Sequence, residues 1–380
     1  MQNTYNVSGI RKLFPAAKSV VYLDSGLQSP MPRPVKVALD RYNKEAYENA
    51  GPKLIWLNRT EQARNKLARF INASPDEIAF TKNTSEALNI AANALPLKRG
   101  DNVLLIHGDH PNNAYAFLNL RRKGIDVRVI PMTEIINSES FLSEIDENTR
   151  AISMSHVTFH AGHKFDIEDI GRLCREKNIY FIVDIMQSIG VVPIDVQKIG
   201  ATFLCSGTHK GLFVPQGLGF LWWDKKRQEL EPTYLAAASV EHPSEDFIAN
   251  SNNMAPAKTA RRFEIGNYNL AAIQALDAAI DLINKIGVNN IESYYYMLGD
   301  RLIERLDCLG ISLVGPRSRQ HRAPHIYVLQ LQPKEWLEYL SSQQIRCSPE
   351  RDGIRISFGL FNNELDLDKL LEAISHQMKR

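Results

Sequence analysis

Between residues 77 and 223, short apolar, β-rich runs alternate with stretches of helical spacing, and turn residues fall between them. No other feature constrains the fold as strongly, because this rhythm belongs to sheets whose strands are joined through helices. The strand runs are EIAFT (77–81), VLLIH (103–107), VRVIP (127–131), AISMS (151–155), YFIVD (180–184), TFLCS (202–206) and LGFLW (218–222). Between them SEALNIAANAL, NNAYAFLNLRRKG and DIEDIGRLCREKN carry helical periodicity, the last two with basic residues in their final turn. The expectation is an α/β protein. A large domain would hold a mixed, mostly parallel seven-stranded sheet covered by helices, and a smaller C-terminal α/β domain would follow.

The boundary is expected in a loop-rich stretch from 224 to 268, which has prolines at 232, 243 and 256 and the run NSNNMAPAK. The organisation predicted is an N-terminal segment (1–15), a large domain (16–268) and a small domain (269–380). A long helix opens at Asn269, with Leu270, Ile273, Leu276, Ile280 and Ile283 on one face, and Ile291, Tyr295, Leu298, Leu302, Leu306 and Leu309 repeat the spacing on the next. These are core positions. ISLVG, HIYVLQL, the helix PKEWLEYLSSQQ, IRCS, GIRISF and a helix from Glu364 complete the small unit.

At 380 residues, one large and one smaller domain suit the length. Lys and Arg total 45 against 43 for Asp and Glu, without a dense basic run, so nucleic acid is not an expected partner. The start lacks a signal-peptide pattern and no apolar run reaches the ~18–20 residues that cross a bilayer, so no membrane association and a cytoplasmic location are expected. Cys174, Cys205, Cys308 and Cys347 lie far apart without a CxxC pair, which suggests reduced thiols and no metal site.

Ligands of open α/β sheets bind beyond the carboxyl ends of the strands, so the residues just after each run carry weight. There stand Asp184 and Gln187; Gly207, Thr208, His209 and Lys210 before the glycine-rich GLFVPQGLG; Asn83, Thr84 and Ser85 at a helix start; and His110 with Asn112 and Asn113. Singly, each has an ordinary explanation: a helix cap, a loop imidazole, a surface amine. Together they supply a carboxylate, an amine in a glycine-rich turn, helix N-terminal hydroxyls and an imidazole, the set a phosphorylated pyridine cofactor requires.

The motifs VYLDSGLQSPMPRPV, FTKNTSEALNIAANAL, DHPNN, VDIMQSIGVVPIDV, SGTHKGLFVPQGLGFL, RRFEIGNYN and GIRISFGLFNNELDLDKLLEAI, in this order, resemble the class V aminotransferase and cysteine desulfurase family of pyridoxal-phosphate enzymes, of the aspartate-aminotransferase fold type. The resemblance implies pyridoxal 5'-phosphate as cofactor, joined to Lys210 as an aldimine, with Asp184 on the pyridine nitrogen, Gln187 on the phenolic oxygen and His110 stacked on the ring. It implies that Thr84, Ser85 and His209, with Ser206 or Thr208, bind the phosphate, and that Arg355, with Asn113 nearby, holds the α-carboxylate of an amino-acid substrate. A structural ion pair is the other reading of Arg355. Asn267 stands where the family has a threonine that reaches the cofactor of the neighbouring subunit, which implies a homodimer with shared sites.

The chain also departs from the family pattern. Ser206-Gly207-Thr208-His209-Lys210 moves the serine one place from the desulfurase spacing, and Thr158-Phe159 replaces a common Ser-Asn pair. Cys347 lies only eight residues before Arg355 in the strand-like IRCS, where a mobile nucleophilic thiol is not expected. The function expected is a class V aminotransferase-like or C–S lyase enzyme acting through a Cα carbanion. A cysteine desulfurase using Cys347, an epimerase and a non-catalytic binder of the same fold are the alternatives. A nicotinamide dehydrogenase lacks its GxGxxG turn.

Overall fold

All seven apolar runs pair into one sheet in a computed structural model of the chain, which describes residues 5–379 apart from 245, 247, 250, 251 and 253. The expected segment 1–15 and the run NSNNMAPAK therefore lie partly outside the described residues. A two-stranded pairing opens the fold with β1 (Val21–Tyr22), and the large sheet follows: β2 (Ile78–Thr81), β3 (Asn102–Ile106), β4 (Asp126–Ile130), β5 (Thr149–Ser155), β6 (Tyr180–Asp184), β7 (Phe203–Gly207) and β8 (Gly219–Trp223). Their spatial order is β2-β8-β7-β6-β5-β3-β4, with β8 antiparallel to both neighbours and the other pairings parallel.

Successive residues of these strands feed opposite faces, as the period of two requires. Val103 and Leu105 join Ala87, Leu88 and Phe117 under the helices Thr84–Ala94 and Pro111–Leu118, whereas Leu104 and Ile106 join Ile170, Leu173 and Ile273 on the other side. Burial on both faces explains why the strands read as continuous apolar runs.

The long helix Leu270–Ile286, capped by the Asn269 side chain, packs on helices Arg33–Glu48 and Lys53–Phe70. Ile273, Leu276, Ile280 and Ile283 are buried there, and Leu270 is half-buried. The C-terminal part holds β9 (Leu313–Val314), β10 (Ile326–Leu329), β11 (Ile345–Arg346), β12 (Ser348–Glu350) and β13 (Gly353–Ser357), four of them in an antiparallel sheet ordered β12-β13-β10-β9. The fifth, β11, pairs in parallel with β1. IRCS is thus two short strands, and Cys347 is the residue between them. Among the described residues no helix is long and apolar enough to cross a membrane.

Candidate active site

The carboxyl ends of β2, β3, β5, β6 and β7 open on one cavity of about 530 Å³, walled by Thr84, Ser85, His110, Asp184, Gln187, His209 and Lys210 among others. A depression of similar volume, about 540 Å³, beside Arg11, Lys18 and His376 holds none of the candidate residues.

At the end of β2 the Asn83 side chain caps helix Thr84–Ala94 by accepting the Glu86 N–H at 2.9 Å. The N–H groups of Thr84 and Ser85 keep no intrahelical partner, so this end of the cavity is an array of donors with a favourable dipole for an anion. A Cβ placed on Gly207 would lie 3.1 Å from Thr84 Oγ1 and 3.5 Å from His209 Nδ1, so the hydroxyl and the imidazole converge over a backbone without a side chain. A Cβ on Gly219 would strike the Asn83 backbone at 2.8 Å, and glycine there lets β8 approach the turn.

The Lys210 side-chain amine has no hydrogen-bond or ion-pair partner among the described residues, and burial, with Arg355 next in weight, pushes it down to about 8. Asp184 accepts the Met186 N–H at 2.8 Å, and burial pushes its carboxyl upward, with Asp109 adding to the shift. His110 caps helix Pro111–Leu118, its Nδ1 accepting from the Asn112 N–H at 3.2 Å, and its ring meets Phe159 edge-on at 5.0 Å. Burial and the Lys210 charge lower its pKa, and the same causes push His209 down to about 4. Both shifts favour the neutral imidazole. Gln187 donates its amide to the Gly26 carbonyl at 2.9 Å, which leaves Oε1 buried without a partner.

Five residues named from sequence lie off the cavity wall: Asn113, Ser206, Thr208, Asn267 and Arg355. Asn113 is buried between Ser153 and Asp109, and its neighbour Asn112 faces the cavity instead. The Ser206 hydroxyl donates to the Gly207 carbonyl and that of Thr208 to the Leu218 carbonyl, so both brace the lysine turn from behind. Asn267 is exposed. Arg355 is buried, donating to Glu350 at 2.6 Å, to the Phe159 carbonyl at 3.1 Å and to Asp24 at 3.4 Å. Sequence reasoning missed Ser155 and Asp109, whose mutual bonds join the β3 and β5 ends. Asp109 opens the quoted DHPNN, and that motif was the available signal.

The aminotransferase class-V family model matches residues 21–370. An uncharacterized aminotransferase of Schizosaccharomyces pombe is 33% identical over 377 residues, which is 97% of this chain and 95% of its own. The chain belongs to the class V aminotransferases. A probable cysteine desulfurase of Methanothermobacter thermautotrophicus is 36% identical to this class V aminotransferase over 79% of the chain and 77% of its own. The solved apo cysteine desulfurase of Thermococcus onnurineus has a TM-score of 0.88 at 26% identity, covering 98% of both chains.

The cofactor of this class V aminotransferase is pyridoxal phosphate, and the cavity fits it. Hydroxyls, first-turn N–H groups and an imidazole suit the phosphate, Asp184 suits the pyridine nitrogen, and an unpartnered amine at Lys210 suits the aldehyde. The Gln187 amide oxygen, buried without a partner, sits at the same wall and would accept from a protonated phenolic oxygen of the cofactor.

Proposed function

We propose that this enzyme takes the α-proton from an α-amino acid and breaks the bond between its β-carbon and sulfur, as a C–S lyase without a cysteine nucleophile. One observation carries the reading: Lys210 faces the cavity as an unpartnered amine, whereas Cys347 faces a separate depression lined by Val20, Leu337 and Ser341. Burial pushes the Cys347 thiol up to about 12, far from the thiolate that attack on sulfur needs.

Bound in the cavity, pyridoxal phosphate supplies an electron sink for the charge left at Cα. Thr84, Ser85 and His209 would hold its phosphate, Asp184 would keep a proton on its ring nitrogen, His110 would cover one face, and Lys210 would supply the amine that bonds its aldehyde. The Lys210 Nζ would accept the Cα proton and return it to the departing sulfur, whose electron pair comes from the Cβ–S bond. The products are a thiol and, after hydrolysis, pyruvate and ammonia. Arg355 anchors the α-carboxylate through its planar donors. Asn267, exposed beside the motif RRFEIGN, reaches the site of a second subunit in a homodimer.

Transamination is the second reading, supported by the relative named as an aminotransferase. Incubation of the holoenzyme with L-cysteine, L-cystine and a panel of other amino acids, with and without a keto acid, separates the two. Pyruvate with sulfide or thiol supports the lyase. Amino transfer to the keto acid, without pyruvate from cysteine, replaces it with the second reading.

A further inference from the structure

Arg355, buried behind the cavity wall, is already matched by two carboxylates. Its Nη1 donates to Glu350 Oε1 at 2.6 Å, the shortest of its contacts, and Nη2 reaches Asp24 Oδ1 at 3.4 Å. Its Nε is buried without a partner, 3.5 Å from where a Cβ of Gly26 would stand, and the Gly26 carbonyl takes the Gln187 amide of the cavity wall. The β12–β13 hairpin produces the pairing. Ser348 lies opposite Arg355, and Glu350, two residues on, shares that face of the sheet.

The two acids are held differently. Asp24 is deeply buried, and its Oδ1 also accepts the Ser348 hydroxyl at 2.6 Å. Glu350 closes the hairpin end, and its other oxygen lies 3.3 Å from His160 Nδ1, while His160 Nε2 lies 2.8 Å from Asp352. Glu350 therefore has an imidazole at the hairpin end to turn to, whereas Asp24 is fixed by the Ser348 hydroxyl in the interior. Both acids act on the Lys210 charge, so both lie within electrostatic reach of the reacting centre.

We propose that Glu350 guards Arg355, that an incoming α-carboxylate must displace it, and that His160 retains the displaced side chain. Glu350 then sets the affinity threshold for every α-carboxylate, whatever the substrate's side chain. An arriving carboxylate would otherwise share one guanidinium with two like charges, and Glu350, at the hairpin end beside His160, is the one with another group to receive it. This inference rests on the assignment of Arg355 as carboxylate anchor.

The test titrates L-alanine, L-lysine and alaninol into yellow holoenzyme and reads the change in the cofactor absorbance band. Alaninol keeps the amine and lacks the carboxylate. Glu350→Gln is nearly isosteric and removes the charge, and Glu350→Ala removes the contact. Both variants are expected to bind L-alanine and L-lysine at least about tenfold more tightly than wild type, with alaninol changed less than about twofold. Unchanged or weaker L-alanine binding in both variants overturns the proposal. Selective weakening of L-lysine also overturns it, and makes Glu350 a recognition site for cationic side chains. Arg355→Gln separates the two readings. If it binds L-alanine as wild type does, the anchor assignment fails and this inference with it. If it weakens L-alanine while Glu350→Gln has no effect, the anchor stands and the guard alone fails.

Discussion

Ser155 donates twice to Asp109, through its hydroxyl to Oδ1 at 2.6 Å and through its backbone N–H to Oδ2 at 2.7 Å. Asp109 Oδ1 also takes the His110 N–H at 2.6 Å, so the carboxylate ties the loop after β3 to the end of β5 and orients the imidazole over the cavity. Ser155→Ala removes one charge-assisted bond and spares the other three, from the Ser155 and His110 N–H groups and the Asn113 amide. A loss of about 1.5 kcal/mol in urea unfolding is expected, the low end for such bonds because the pair is partly buried. An unchanged midpoint would mean that water replaces the hydroxyl without cost.

The lowered pKa of Lys210 gives a direct test on the protein freed of cofactor. With a pKa of about 8, roughly a tenth of the amine is neutral at pH 7, against well under a thousandth for an ordinary lysine. Acylation of Lys210 followed by peptide mapping is expected to rise with a midpoint below that of the exposed lysines. After reconstitution, borohydride reduction is expected to fix the cofactor on Lys210 and on no other residue. Label on another lysine ends the assignment.

Glu264 is buried and takes three donors: Arg64 at 2.7 Å, the Phe80 N–H at 2.8 Å and the Tyr268 hydroxyl at 2.7 Å. It joins β2, helix Lys53–Phe70 and the RRFEIGN loop. Glu264→Ala leaves the buried Arg64 with only the half-exposed Glu61, 3.2 Å from its Nε, as a charged partner, and a loss of about 3 kcal/mol, the low end for a broken buried pair, is expected. Chemical denaturation reads it. A loss below about 1 kcal/mol would show that water reaches Arg64.

Asn267 offers a test of the shared site. Light scattering is expected to give a dimer, and Asn267→Ala is expected to weaken cofactor retention by less than Asp184→Ala does, since it removes one hydrogen bond and leaves the charge on the ring nitrogen intact. A monomer holding full cofactor would end the shared-site reading.

The large sheet was legible because its strands are buried on both faces, and Val103, Leu104, Leu105 and Ile106 stand in one unbroken apolar run. Strand ends moved by a residue or two where polar groups are drawn in. Asn102 begins β3 because its side chain reaches Asp146. Cavity-wall residues at strand ends were equally legible, since their placement is local to the turn: Asp184 closes YFIVD and Lys210 follows TFLCS. What stayed hidden depends on partners far along the chain. Ser206 and Thr208 look like phosphate donors until Gly207 and Leu218 carbonyls claim their hydroxyls. Glu350 is an unremarkable acid until the hairpin register sets it on Arg355.

Cys347 decides the branch of chemistry. A desulfurase thiol must travel to the substrate sulfur and arrive as thiolate, and both demands run against this position. The residue is pinned between β11, which pairs with β1, and β12, which pairs with β13, and burial holds its proton. Cys347→Ala is therefore expected to keep most of its turnover, within about threefold of wild type, with the cofactor spectrum unchanged. Mass spectrometry after reaction with L-cysteine is expected to find no persulfide on Cys347 in the wild-type chain. A hundredfold loss, about 2.7 kcal/mol of barrier, together with a persulfide on Cys347, would mean that β11 and β12 separate during turnover and that the thiol is the sulfur acceptor after all.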